Sequence, residues 1–189
     1  VLRAGSLRTD TERGERQGIL AVFRRSERVS DAAGDRAHHG PRSAGGRGDL
    51  LGEHAILAVL DPGALAHVRH VAPMPVCSGE NLYGSRGFRP HLEAGGMDVA
   101  SVDVIWNGFH QAKKIADLAE TFEVSCAPHN YYSHLATFIA AQWCAAIPNA
   151  RILEYDVDDV AWRDELVSAV PEISAGELRI PTGAGWGVE

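Results

Sequence analysis

From residue 55 onward, the chain alternates short apolar runs with amphipathic stretches, in a rhythm of roughly one unit every 25 residues. This alternation is typical of βα units, in which each strand is followed by a helix and the strands lie parallel in one sheet. The predicted strands are the apolar runs at 55–60, 74–78, 99–104, 124–127 and 151–155. Five parallel strands in this order predict an α/β fold of the (β/α)-barrel type.

Helix signals lie between these predicted strands. Asp61 and Pro62 provide an N-cap and a first-turn proline, while Gly95 and Gly96 provide a helix stop. Apolar residues at helical spacing predict helices at 61–72, 88–94, 109–122 and 133–147. The third helix is the clearest, because one apolar stripe is formed by Phe109, Ala112, Ala116 and Ala119.

The length of the chain limits how much of a barrel it can form. A complete eight-unit barrel needs about 250 residues, whereas this chain has 189. Its hydrophobic content of 45% and charged content of 23% are typical of a globular protein. We therefore predict a partial TIM-type (β/α) barrel made of C-terminal βα units.

The first 50 residues differ from the rest in composition. They hold 10 Arg and 7 acidic residues, for a net charge of +3, and leave residues 51–189 with −10. Their apolar residues are too few to form a core that offsets the entropy of ordering the backbone. The sequence predicts two parts: a poorly ordered Arg/Gly-rich segment at 1–50 and the barrel part at 51–189.

Composition also bears on location and partners. No apolar run approaches the roughly 18 residues of a membrane span, and no signal peptide is recognisable, so we expect a cytoplasmic protein without a membrane partner. The Arg-rich segment lacks Lys and interleaved aromatic residues, so no nucleic-acid partner is expected. Cys77, Cys126 and Cys144 form no C-x-x-C pair and are interpreted as buried free thiols.

Three acidic residues and one histidine lie near or just after the carboxyl ends of four predicted strands. They are separated by 23, 26 and 25 residues, each about one βα unit. In a parallel barrel, the carboxyl ends of the strands open onto one end of the barrel, here called the mouth. We therefore expect four side chains to gather there: Glu80 in PVCSGEN, Asp103 in SVDVIWNG, His129 in APHNYYSHL and Glu154 in RILE.

Several nearby residues have alternative interpretations. His134 is an alternative base, but its position fits the start of a helix, where a histidine is more often structural. Asn81 and Asn107 can hydrogen-bond in the mouth or form turns, and the sequence alone does not choose. The aromatic residues are interpreted as packing or as walls of a substrate pocket: Trp106, Tyr131, Tyr132 and Trp143.

The motifs G-E-N, V-D-V-I-W-N-G, A-P-H-N and P-N-A-R-I-L-E, in this order and spacing, resemble the C-terminal barrel of mandelate racemase/muconate lactonizing enzyme-like members of the enolase superfamily. The resemblance covers residues 73–189. It implies that Glu80 binds Mg²⁺, that Asp103 and His129 provide the general base, and that Glu154 faces the substrate oxygens.

The resemblance also implies the reaction class. Members of this superfamily abstract the proton next to a substrate carboxylate, and the resulting negative charge is stabilised by Mg²⁺. The run HNYYSHL resembles acid-sugar dehydratases more than racemases. We therefore expect a lyase or isomerase type of enzyme, with a small sugar acid as substrate.

Two departures from the family pattern affect this expectation. Complete members carry three acidic metal ligands and an N-terminal capping domain; only Glu80 is matched, with Glu53 or His54 as a substitute for a second ligand. A single carboxylate holds Mg²⁺ poorly, so we expect weak Mg²⁺ binding and little turnover. The alternatives are an inactive, truncated relative and a half-barrel that assembles with another chain, including a homo-oligomer.

Overall fold

The structure, a computed structural model, describes residues 61–157, 160 and 162–189, together with the backbone of two strands at 8–9 and 18–25. The predicted strand at 55–60 lies outside the described residues. So do the rest of the 1–50 segment and its predicted boundary near residue 50. Within the described part, no helix is long and apolar enough to cross a bilayer.

The structure contains four of the five predicted strands, and three of them form one parallel sheet. Strands β3 (Cys77–Ser78), β4 (Val99–Asp103) and β5 (Ser125–His129) lie side by side in chain order, and both pairings are parallel. A parallel bridge between Cys126 and Ala150 leads from β5 to the segment before β6 (Leu153–Asp156). This order confirms the α/β fold of the partial (β/α)-barrel type.

Helices follow the strands as predicted, with shifted ends. The described residues contain five α-helices, which are α1 (Pro62–Val71), α2 (Gly84–Glu93), α3 (Val104–Asn107), α4 (Phe109–Thr121) and α5 (His134–Ala145). Asp61 caps α1, because its Oδ1 accepts hydrogen bonds from the backbone N–H groups of Gly63 and Ala64. The α2 stop is also confirmed, since Gly95 adopts φ +65° and its N–H bonds to the Leu92 carbonyl. The short α3 was not predicted.

A second sheet contains β6 together with four strands that pair antiparallel with one another. Strand β1 (Arg8–Thr9) pairs with β2 (Gly18–Arg25), and β2 lies antiparallel to β8 (Glu177–Arg179), which pairs with β7 (Ile173–Ser174). Strand β2 also lies parallel to β6. Sequence patterns did not predict β2, because its partners β6 and β8 are more than 120 residues away in the chain.

The core lies between the sheet and the helices. Its largest fully buried side chains include Leu65, Phe88, Met97, Ile115 and Trp143. The predicted stripe of α4 is largely confirmed, since its buried residues are Ala112, Ile115, Ala116 and Ala119. Cys126 and Cys144 are buried free thiols, whereas Cys77 is only partly buried, which corrects the expectation of burial for that residue.

Candidate active site

Two of the four predicted residues end parallel strands, and the other two lie within a strand or just after one. Asp103 and His129 are the last residues of β4 and β5, and they are direct partners in the register of the two strands. Glu80 follows β3 by two residues, and Glu154 is the second residue of β6. The charges of both glutamates act on His129. The structure therefore places all four groups in one electrostatic environment.

Asp103 and His129 form a hydrogen-bonded pair. Nδ1 of His129 lies 2.8 Å from Oδ2 of Asp103. The side chain of Asp103 is only 1% exposed, whereas that of His129 is 18% exposed. A deprotonated carboxylate accepts the Nδ1 proton, so the lone pair of the neutral ring is on Nε2. The pair therefore has the arrangement of a general base oriented by a buried acid.

Asp103 accepts two further hydrogen bonds. The hydroxyl of Tyr132 donates to Oδ2 at 2.5 Å, and the backbone N–H of Trp106 donates to Oδ1 at 2.7 Å. Burial raises the pKa of Asp103, but the bonds from His129, Tyr132 and Trp106 together lower it below its usual value. Asp103 is therefore held as a carboxylate.

The pKa of His129 is raised. Burial lowers this pKa, but the hydrogen bond to Asp103 and the negative charges of Glu154, Glu80 and Asp103 outweigh burial. A histidine of raised pKa is a stronger base once it is neutral. The site therefore favours proton abstraction above the ordinary histidine pKa of 6.5.

Glu154 is held next to the base by Asn130. Its Oε2 accepts a hydrogen bond of 2.8 Å from the backbone N–H of Asn130, and its backbone carbonyl accepts one of 2.9 Å from Nδ2 of the same residue. Asn130 is 1% exposed and also donates to Oγ1 of Thr137 at 3.0 Å. These bonds join the end of β5 to β6, and they set the carboxylate of Glu154 beside the residue that follows His129.

Glu80 follows a turn that requires glycine. Gly79 has φ +121°, and a Cβ there would lie 2.7 Å from Cε1 of Phe88. Among the described residues, no three His, Cys, Asp or Glu side chains are grouped as a metal site needs. Glu53 and His54, the alternative ligands, lie outside this part of the chain. The described residues supply one predicted metal ligand, Glu80, and do not by themselves fit a Mg²⁺ site.

His134 lies in a separate pair. Its Nε2 is 2.7 Å from Oδ1 of Asp164, and its ring stacks on Tyr155 with an interplanar angle of 1°. His134 is the first residue of α5, and its side chain is only 5% exposed. The structure therefore ties the alternative base to the short 3-10 helix at Arg163–Glu165.

Asn107 connects two loops of the mouth. Its Oδ1 accepts from the backbone N–H of Gly84 at 2.8 Å, and its Nδ2 donates to the carbonyls of Asp103 and Leu82. These bonds hold the start of α2 against α3. Asn81 is exposed.

Tyr132 and Asn130 are the polar residues of the site to which sequence reasoning gave no specific role. Tyr131 and Tyr132 are adjacent, and no sequence signal shows which hydroxyl reaches Asp103. Asn130 directly follows His129, the predicted base, and this adjacency in the sequence is the signal that could have identified it as a site residue. Both contacts depend on how the chain turns after β5.

A cavity of about 510 Å³ lies beside the site. Tyr132 lines it, but the four predicted residues are not among its described lining residues, which are mostly apolar. The buried Arg163, which pairs with Asp156, also lines this cavity. The cavity and the Asp103–His129 pair are therefore neighbouring features that meet at Tyr132.

The fold and the strand-end residues define a class of (β/α)-barrel proteins, and comparison with known families identifies which one. Residues 53–189 match the family described as enolase C-terminal domain-like. The match covers more than half of the chain, so the protein belongs to this family. The predicted resemblance to mandelate racemase-like members of the enolase superfamily is confirmed.

Similar proteins of known activity are longer than this chain. A D-xylonate dehydratase from Haloferax volcanii is 36% identical over 115 residues, which cover 60% of this chain and 28% of that protein. A D-galactarolactone cycloisomerase from Agrobacterium fabrum is 32% identical over 159 residues, which cover 79% of this chain and 42% of that protein. The chain thus spans less than half the length of these relatives.

A solved structure is more similar in sequence. A protein from Burkholderia xenovorans strain LB400, provisionally assigned as an L-alanine-DL-glutamate epimerase and bound to magnesium and fumarate, is 49% identical. The TM-score is 0.66, and the match covers 68% of this chain and 32% of that one. The barrel part therefore has the same fold as part of a magnesium-bound superfamily member.

Proposed function

We propose that this chain carries the base side of a Mg²⁺-dependent site that abstracts the proton next to the carboxylate of a sugar acid. The observation that carries the proposal is the 2.8 Å hydrogen bond between His129 and the buried Asp103. It leaves Nε2 of His129 as the proton acceptor. The dehydratase and cycloisomerase relatives support the sugar-acid class.

The proposed reaction begins when Nε2 of His129 takes the α-proton. The C–H electron pair moves toward the carboxylate and forms an enediolate, which then expels the β-hydroxyl. The protonated His129 is positioned to return a proton to the leaving hydroxyl, so that water departs. The remaining enol tautomerises to a 2-keto-3-deoxy acid, which completes an acid-sugar dehydration.

The two glutamates have different proposed roles. Glu154 is turned toward the base by Asn130, and we assign it to contact with the substrate oxygens. Glu80 is the proposed Mg²⁺ ligand, with the other ligands supplied from outside the described residues. Bound Mg²⁺ would add positive charge that stabilises the enediolate. Preorganised charge is usually the largest single contribution to catalysis.

The test is exchange of the α-proton in D₂O, followed by NMR over a panel of sugar acids with Mg²⁺ and with EDTA. We expect slow exchange by the natural chain in Mg²⁺, because the described residues contain one proposed metal ligand and no group of three potential ligands. His129→Asn should remove it. Absence of His129-dependent exchange with every acid would overturn the proposal, whereas exchange that persists in EDTA would overturn its Mg²⁺ dependence.

A racemase or epimerase is the second candidate. The 49% identity to the Burkholderia protein, which is provisionally assigned as an epimerase, supports this second candidate. Both reactions begin with the same proton abstraction but differ in product. Exchange accompanied by a 2-keto-3-deoxy acid would identify a dehydratase, whereas inversion at the α-carbon without loss of water would identify an epimerase.

A further inference from the structure

Three donors surround the carboxylate of Asp103, and two of them share one oxygen. Oδ2 accepts hydrogen bonds from Nδ1 of His129 at 2.8 Å and from the hydroxyl of Tyr132 at 2.5 Å. Oδ1 accepts the backbone N–H of Trp106. The ring of Tyr132 also stands edge-on to that of His129, at an interplanar angle of 86° and a centroid distance of 5.9 Å. Tyr132 thus contacts both members of the pair.

We propose that Tyr132 is a positioning residue for His129: its hydroxyl holds the Asp103 carboxylate in place and, by sharing Oδ2, limits how strongly that carboxylate supports the imidazole as a base. The inference rests on the proposed function only in assigning the proton-accepting role to His129. The sharing of Oδ2 is a property of the structure itself.

The direction of the effect follows from electrostatics. A hydrogen bond donated to a carboxylate withdraws part of its charge, so Oδ2 attracts the protonated His129 less strongly when Tyr132 also donates to it. Removal of the hydroxyl returns that charge to the Asp103–His129 bond. The protonated imidazole is then stabilised, and the pKa of His129 rises.

Removal of the Tyr132 hydroxyl leaves the charged groups around His129 unchanged. The charged groups that act on His129 are Asp103 on β4, Glu80 after β3 and Glu154 on β6, and each of them raises its pKa. The pKa of Tyr132 is itself raised, first by burial and then by its bond to Asp103, so it acts as a neutral donor. A change at its hydroxyl therefore isolates one hydrogen bond.

The experiment is an NMR titration of the His129 ring in the natural chain and in Tyr132→Phe. The chain has 9 histidines, so the His129 signals are assigned by their loss in His129→Asn. We expect the pKa of His129 to rise by about 0.5–1 unit in Tyr132→Phe. The acid limb of α-proton exchange should move to higher pH by the same amount. Tyr83→Phe is the matched control, because Tyr83 stacks on Trp106 in the same mouth and should leave the His129 pKa unchanged.

A second variant tests the same bond in the opposite direction. 3-Fluorotyrosine at position 132 keeps the ring and the hydroxyl but is a stronger donor, so it should lower the pKa of His129. It also provides a test if Tyr132→Phe does not fold. An unchanged His129 pKa in a folded variant, or a shift of the wrong sign in either, would overturn the inference. Expected pKa shifts without any exchange in the natural chain would support the inference and count against the proposed function alone.

Discussion

The described residues contain two histidine–aspartate pairs whose histidines are five residues apart in the chain, and the two pairs have nearly the same hydrogen-bond length. The bond is 2.8 Å in His129–Asp103 and 2.7 Å in His134–Asp164. In the first pair the aspartate is 1% exposed and the histidine 18%; in the second the histidine is 5% exposed and the aspartate 75%. The order of burial is reversed.

The reversal gives the two pairs different chemistry. A buried carboxylate with an accessible imidazole leaves one ring nitrogen for a substrate and keeps a constant charge behind it. A buried imidazole with an exposed carboxylate has little contact with solvent or substrate, and its aspartate is screened by water. We infer that the first pair is suited to catalysis and the second to fastening the segment after β6 onto α5.

The largest expected effect separates the two histidines. His129→Asn should reduce α-proton exchange by about 10²–10⁴-fold, because the base is lost. The same substitution at His134 should leave the exchange rate within a few-fold of the natural chain. Exchange rates of both variants with one sugar acid test this contrast, and a larger loss in His134→Asn would reverse the assignment.

Asp103→Asn should reduce exchange by about 10²-fold or more, since an amide neither selects the Nδ1–H tautomer nor balances the imidazolium. The pKa of His129 should fall in this variant, because its main raising contacts are lost. Asp164→Asn is the matched change in the other pair and should leave exchange intact. A normal rate in Asp103→Asn would show that His129 acts without its partner.

The pH profile of exchange should follow the titration of His129. The base must be neutral, and its pKa is raised, so exchange should increase with pH through a midpoint above 6.5. His134→Asn should not move this midpoint. The measurement is exchange rate against pH from 5 to 9, roughly the range around the ordinary histidine pKa. A midpoint below 6.5 would contradict the raised pKa.

The smallest effects concern stability in the second pair. His134→Asn should lower the free energy of unfolding by about 1–3 kcal/mol, because a buried and hydrogen-bonded ring is removed. Asp164→Asn should lower it by less than about 1 kcal/mol, since that side chain is exposed. Urea unfolding of the two variants measures the difference. Equal losses would mean that burial does not distinguish the partners.

Much of the fold could be predicted from local patterns. The α1 cap at Asp61, the α2 stop at Gly95 and the buried stripe of α4 each depend on residues within a few positions of one another. The unpredicted α3 has a different origin. Asp103 ends β4 and caps α3 through its bond to the N–H of Trp106. Because one residue belongs to both elements, no loop residues in the sequence separate the strand from the helix.

The spacing of the strand-end residues also predicted which side chains lie near one another. One βα unit separates each neighbouring pair, and the parallel register pairs Asp103 directly with His129. The roles of Glu80, Glu154, Asp103 and His129 remain predictions. Their proximity follows from repeated geometry, which a sequence records as a regular interval.

By itself, the sequence determined the βα order, the α1 cap, the α2 stop and the identities of the strand-end acids and histidine, because these depend on short-range patterns. Only the tertiary structure decided that β2 lies beside β6, that Tyr132 donates to Asp103, and that Asn130 holds Glu154. It also decided which aspartate is buried. These features depend on contacts between residues distant in the chain or on the direction of a loop, and no local pattern of residue types encodes either.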